Sequence, residues 1–179
     1  SSAASDVYKR QILGGNTGSA DTGLAAQYNV NYNNTELVLN ALVQGNSSLA
    51  HAGTGTLILD KANTATGALG ITNAGAVVQL GAEDKAGQWA GTVLNGAGTL
   101  KIVNGALTSA MTRAEGATAA IVVDSAASVS LGGTDGGMLK GITLAAGGRL
   151  VNVSGDITVG AGATETLNLT LGADNVNQD

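Results

Sequence analysis

GTGTLIL, residues Gly53 to Leu59, and GAGTLKI, residues Gly96 to Ile102, are two copies of one pattern. Each runs G-x-G-T-L and then carries a second aliphatic residue two places on, and starts at positions 53 and 96 give an offset of 43. A second pair repeats at about half that distance: Ile121-Val122-Val123 then Val129, and Ile142-Thr143-Leu144 then Leu150, at an offset of 21. Short strands returning at a fixed interval of this size, with Gly or Asn between them, are the signature of a β-solenoid in which each rung stacks on the next. A β-sandwich also shows strands at short spacing, roughly every 8 to 12 residues, but has no reason to keep a fixed period. Alternation within the motif points Leu57 and Leu100 inward, two rungs apart, and turns Lys101 to the opposite face.

The same reading extends along the chain. Glu36 to Val43, Thr56 to Asp60, Ala76 to Leu80, Thr99 to Val103, Ala120 to Asp124, Ser128 to Leu131, Gly141 to Leu144, Arg149 to Val153, Asp156 to Val159 and Glu165 to Leu171 all read as strands bounded by Gly, Asn, Asp or Ser. Composition agrees: 28 Gly discourage helices, and one Trp, three Tyr and no Phe leave no aromatic-anchored core of the kind an ordinary enzyme domain uses. Stacked rungs need no such anchor, because identical positions lie about 4.8 Å apart and fill the interior with ladders of small and aliphatic side chains. The absence of Pro suits strands whose N–H groups are all engaged. The expected fold is all-β, a parallel β-helix of roughly seven rungs about 34 Å tall.

Charge and composition also exclude functions. Without Cys the chain has no disulfide, thiolate metal site or cysteine nucleophile. Eight Lys and Arg against 13 Asp and Glu, pI near 4.6, form no basic stripe for nucleic acid. No apolar run approaches the roughly 18 residues of a transmembrane helix. Ser1 to Gln11 (SSAASDVYKRQ) resembles a translated adaptor scar, which makes the expected organisation a scar over 1–11, an irregular Gly/Ser/Thr-rich lead-in over 12–27, the solenoid over 28–172 and a polar end over 173–179.

The stretch Gly53 to Gly81 resembles the passenger-associated repeat of bacterial autotransporters, with Gly53, Gly55, Thr56, Leu57, Asn63, Thr64, Gly67, Gly75, Leu80 and Gly81 at matching positions. It departs from that pattern at Lys61-Ala62, where the family usually has Gly, and at Ala65, where an aromatic is usual. Gly96 to Ile102 keeps only the opening of the motif, so the specific resemblance covers about a fifth of the chain. It implies a right-handed parallel β-helix, secreted and displayed outside a Gram-negative cell through an outer-membrane barrel that is not visible here. It also implies an adhesin-type role in biofilm or virulence, with a host or bacterial surface protein, a glycan or another copy of itself as partner.

Candidate chemical groups are few. His51, the only histidine, lies at a strand edge without a second His or a Cys to share a metal. Asp60, Asp124, Asp135 and Asp156 each stand alone, and Glu83-Asp84, read as strand residues, point to opposite faces, whereas glycoside hydrolysis needs two carboxyl groups about 5 to 9 Å apart. Gly132 to Gly137 is similar to a calcium-binding β-roll turn only in outline and reads as a corner loop. Thr108 to Thr118, with Met111, Arg113 and Glu115, is the expected excursion from the solenoid, and Trp89 reads as a plug in preference to an exposed sugar platform. No catalytic, metal-ligating or cofactor-binding residue is assigned. The expected function is non-enzymatic: adhesion, self-association or a stem. The alternatives are a β-helical polysaccharide-degrading domain, marked by acidic and basic groups converging on one groove, and a purely structural spacer.

Overall fold

The computed structural model describes residues 27–107, 111–124 and 142–145 and, as backbone, 126–130, 149–154 and 169–171. In these residues the chain winds as a parallel β-solenoid with three sheets. Sheet A contains β1 (Gln27–Val30), β3 (Ser48–His51), β5 (Leu69–Ile71), β8 (Val93–Gly96) and β11 (Thr112–Arg113). Sheet B contains β2 (Glu36–Val38), β4 (Thr56–Leu59), β6 (Val77–Leu80), β9 (Thr99–Ile102), β12 (Ala120–Val123), β14 (Ile142–Leu144) and β16 (Leu169–Leu171). Sheet C contains β7 (Gly87–Trp89), β10 (Gly105–Leu107), β13 (Ala126–Ser130) and β15 (Arg149–Ser154). Consecutive strands fall on different sheets: β1 to β4 alternate between A and B, and from β5 to β13 each turn visits A, B and then C before the next begins one strand higher.

Sheet B carries the two motif copies in the expected register. Leu57 pairs with Val78 and Val78 with Leu100, two successive steps that together span the whole offset between the copies. Ile121, Val122 and Val123 pair with Ile142, Thr143 and Leu144. Inward positions form two unbroken aliphatic columns: Leu57, Val78, Leu100, Ile121 and Ile142, and beside them Leu59, Leu80, Ile102, Val123 and Leu144, all buried. Each such side chain contributes about 1.5–3 kcal/mol by leaving water. Parallel neighbours of like shape stack without voids, which is why no large aromatic is required.

The G-x-G of the first copy has a steric cause. A Cβ on Gly53 or Gly55 would run into the backbone of Tyr32 or Asn34 in the turn below, so the A-to-B corner closes only without side chains there.

Two expectations need correction. The solenoid has about five turns in place of roughly seven. Sheet B alone counts seven strands, whereas sheet A has five and sheet C four among the described residues. The steps are uneven: those from Leu69 to Leu94 and from Ile142 to Leu169 are longer than the step from Leu57 to Val78. The regular offset also fails in sheet C, where Ala127 pairs with Leu150 and Val129 with Val153 across a shift between Ala127 and Ser128, so Val129 and Leu150 are not partners. The expected strand Asp156 to Val159, and 165–168 of the last one, lie outside the described residues.

Candidate functional surface

The inward side chains of the described residues are buried, and the surface they leave for another molecule lies on outward faces and corners. The outer face of sheet B carries two columns, Thr56-Val77-Thr99 and Val38-Ile58-Gln79-Lys101-Val122-Thr143, each residue beside its equivalent in the next turn and all but the buried Ile58 partly open to solvent. The outer face of sheet A is flatter: Asn29, Ala50, Gly70 and Asn95 stand in one row. Corners are laced by polar side chains across turns. Asn33 Oδ1 accepts from Thr54 N at 3.0 Å, and Thr66 Oγ1 donates to Gly45 O and Asn46 Oδ1, each at 3.2 Å. These bonds use main-chain groups that a tight turn leaves without ladder partners.

Two of the acids, Asp124 and Asp60, are paired with lysines. Lys101 Nζ reaches Asp124 Oδ2 at 2.9 Å on the outer side of sheet B, both side chains 37% exposed. Asp60, buried just after β4, faces two ammonium groups, Lys85 at 3.6 Å and Lys61 at 3.9 Å, while its Oδ1 has no hydrogen-bond donor. Lys85 arrives there by a tight turn in which Ala82 and Lys85 bond to each other across Glu83 and Asp84. Those two acids are therefore exposed turn residues and not the strand residues of the sequence reading. The interval from Asp60 to Lys85 is longer than a regular turn, and only the extra turn residues bring the two together, which no spacing rule reveals. Among the described residues no three of His, Cys, Asp and Glu come close enough to hold a metal ion.

His51 ends β3 and points inward between Val30 and Ile71. Nε2 lies 2.7 Å from Gly55 O and Nδ1 3.3 Å from Val30 O, so the ring spans the first two turns and braces the G-x-G corner. Asn63 is its counterpart at another corner: Oδ1 accepts from Val43 N at 2.9 Å and Nδ2 donates to Lys61 O at 3.0 Å. Buried polar groups with main-chain partners of this kind fix the register of neighbouring turns. In the sequence Asn63 draws notice only as part of the repeat motif.

Trp89 is fully buried in β7 and paired alongside Leu107, so it is an interior plug and not a sugar platform. The expected excursion over 108–118 is part of the coil where it is described: Met111 is buried, and Thr112 and Arg113 pair with Val93 and Leu94 to form β11. Arg113 Nε donates to Ala119 O at 2.8 Å, closing the turn that contains Glu115. Asp135, Asp156 and the loop Gly132 to Gly137 lie outside the described residues. No helix among the described residues is long and apolar enough to cross a membrane. Comparison with protein-family models, with curated proteins and with solved structures found no significant match.

Proposed function

We propose that the chain is part of a non-enzymatic passenger of the autotransporter kind, exported to the surface of a Gram-negative cell, where it acts in adhesion, self-association or as a stem. The observation that carries this reading is the stack itself: seven parallel strands in one sheet, with an interior of aliphatic columns and outer faces that repeat from turn to turn. Such a surface offers many weak, equivalent contacts along one direction, and their sum gives avidity without a deep pocket. The G-x-G-T-L resemblance over Gly53 to Gly81 supports the same reading. Of the acids weighed for hydrolysis and described in the structure, Asp60 and Asp124 are engaged by lysines of their own or neighbouring turns, which supports a structural role for them, and Glu83 and Asp84 lie in an exposed turn.

The test is display of the whole gene product on a bacterial surface, scored for cell clumping and for retention on protein- and glycan-coated plates. Gain of either over cells lacking the gene is expected. Release of unsaturated or reducing sugar from a polysaccharide panel by the purified protein, lost on Asp60→Asn or Asp124→Asn, would overturn the reading in favour of an enzyme.

A further inference from the structure

The chain contains two Asn-Gly steps, Asn95-Gly96 and Asn104-Gly105, in almost identical local sequence: Leu-Asn-Gly-Ala and Val-Asn-Gly-Ala. The fold treats them differently. Asn95 is exposed on the outer face of sheet A, and its side chain folds back so that Oδ1 sits 2.8 Å from the Gly96 nitrogen. The Gly96 N–H donates to that oxygen, and this bond holds the side-chain amide against the main-chain nitrogen that must attack it, in one fixed orientation. Gly96 turns the chain out of the strand at φ 94°, a conformation that side-chain-bearing residues avoid. On one side Asn95 and Gly96 pair with Gly70 and Ile71, but on the other the β11 ladder covers only Val93 and Leu94 and then leaves through the turn around Gly116.

Asn104 has none of this freedom. It is half-buried, its N–H donates to Leu80 O at 3.2 Å and its carbonyl accepts from Gly87 N at 2.8 Å. Gly105 lies between two parallel neighbours, Gly87 and Ala127.

We propose that Asn95-Gly96 is a site of spontaneous covalent modification, a water-consuming rearrangement of the main chain. The Gly96 nitrogen gives up its proton to solvent base and bonds to Asn95 Cγ. The side-chain nitrogen leaves with a proton as ammonia, and a five-membered succinimide closes. Water then opens the ring at either carbonyl, leaving aspartate or, with the main chain rerouted through the side chain, isoaspartate. No electron transfer is involved and water is the sole co-reactant. The products add a negative charge to the row Asn29, Ala50, Gly70 and Asn95, none of which is charged. Isoaspartate also lengthens the backbone by one carbon where Asn95 meets Gly70 and where Thr118 N donates to Gly96 O at 2.9 Å. It therefore loosens sheet A between adjacent turns while leaving the columns of sheet B intact.

The test is to hold the purified protein in mildly alkaline buffer, with a parallel sample in urea, and follow both Asn-Gly steps by peptide mass mapping in heavy-oxygen water. In the folded protein, conversion at Asn95 at least about tenfold faster than at Asn104 is expected. The two rates should converge in urea, and enzymatic methylation of isoaspartate should label the Asn95 peptide and be lost in Asn95→Gln. Equal rates in the folded protein, faster loss at Asn104, or an intact Asn95 after the urea sample has converted would each overturn the proposal.

Discussion

Sheets A and B are built by the same turns of the same chain, yet they are made of different material. Sheet B strands read TLIL, VVQL, TLKI and AIVV, each supplying two inward aliphatic residues and β-branched neighbours. Sheet A strands read QYNV, SLAH, LGI, VLNG and TR, in which Leu, Ile and Val are outnumbered by Gly, Asn, His and other small or polar residues. The difference is one of division of labour. Sheet B supplies a continuous hydrophobic wall, whereas sheet A supplies one aliphatic column, Leu49, Leu69 and Leu94, and beside it a mixed one in which His51 stands between Val30 and Ile71. A parallel sheet need not be sequence-rich in strand formers when its neighbour already fixes the register of every turn.

The largest test of this contrast is Leu100→Asp. It places a carboxylate in the middle of the sheet B columns, and a loss of about 4 kcal/mol or more is expected, enough to abolish the cooperative urea transition. Truncations come next. Leu100→Ala and Leu69→Ala, both from fully buried positions, should each cost about 2–5 kcal/mol by urea unfolding if sheet A is as much core as sheet B. A cost under about 1 kcal/mol at Leu69 alone would show sheet A to be a veneer on sheet B. Gly53→Ala should cost about 1–3 kcal/mol, because the added methyl meets the Tyr32 main chain, which cannot move aside as a side chain can. Gly75→Ala provides the control, since at that position an added Cβ meets only ordinary contacts. The smallest effect belongs to the outer face. Lys101→Ala removes a pair that is more than a third exposed, and solvent screening holds its loss to about 1 kcal/mol at most, vanishing in high salt. The reversal Lys101→Asp, which the sequence reading alone would treat as nearly silent, sets a second carboxylate against Asp124 and should be the more salt-sensitive of the two variants in thermal melts.

The same contrast explains what could be read in advance. The register of Leu57 on Val78 on Leu100 and the parallel stacking were legible because sheet B repeats its residues at nearly constant spacing. Of sheet A, only the strand edge at His51 is noticed in the sequence, and the other four strands do not stand out. A three-residue strand such as Leu69–Ile71, with a Gly in its middle, has the composition of a turn, and its strand character comes from neighbours above and below. His51 was visible as a lone histidine at a strand edge, but its inward direction depends on how β3 stacks on β1 and β5, which its own residues do not announce. The Asp60 and Lys85 contact was illegible for another reason: extra residues in one turn shift every later spacing, and a period cannot announce its own exception.

Within the ladders of all three sheets the main-chain hydrogen bonds run along the stack, from each turn to the next, and not around it. A tension applied between the two ends therefore acts along those bonds and opens them a few at a time, in contrast to the shear that loads a whole ladder at once. The lengthening should come in steps, since a turn of about 21 residues, once peeled from its neighbour, releases roughly 70 Å of extended chain. Held by its ends, such a molecule gives way gradually under load and limits the force passed to whatever is attached at either end.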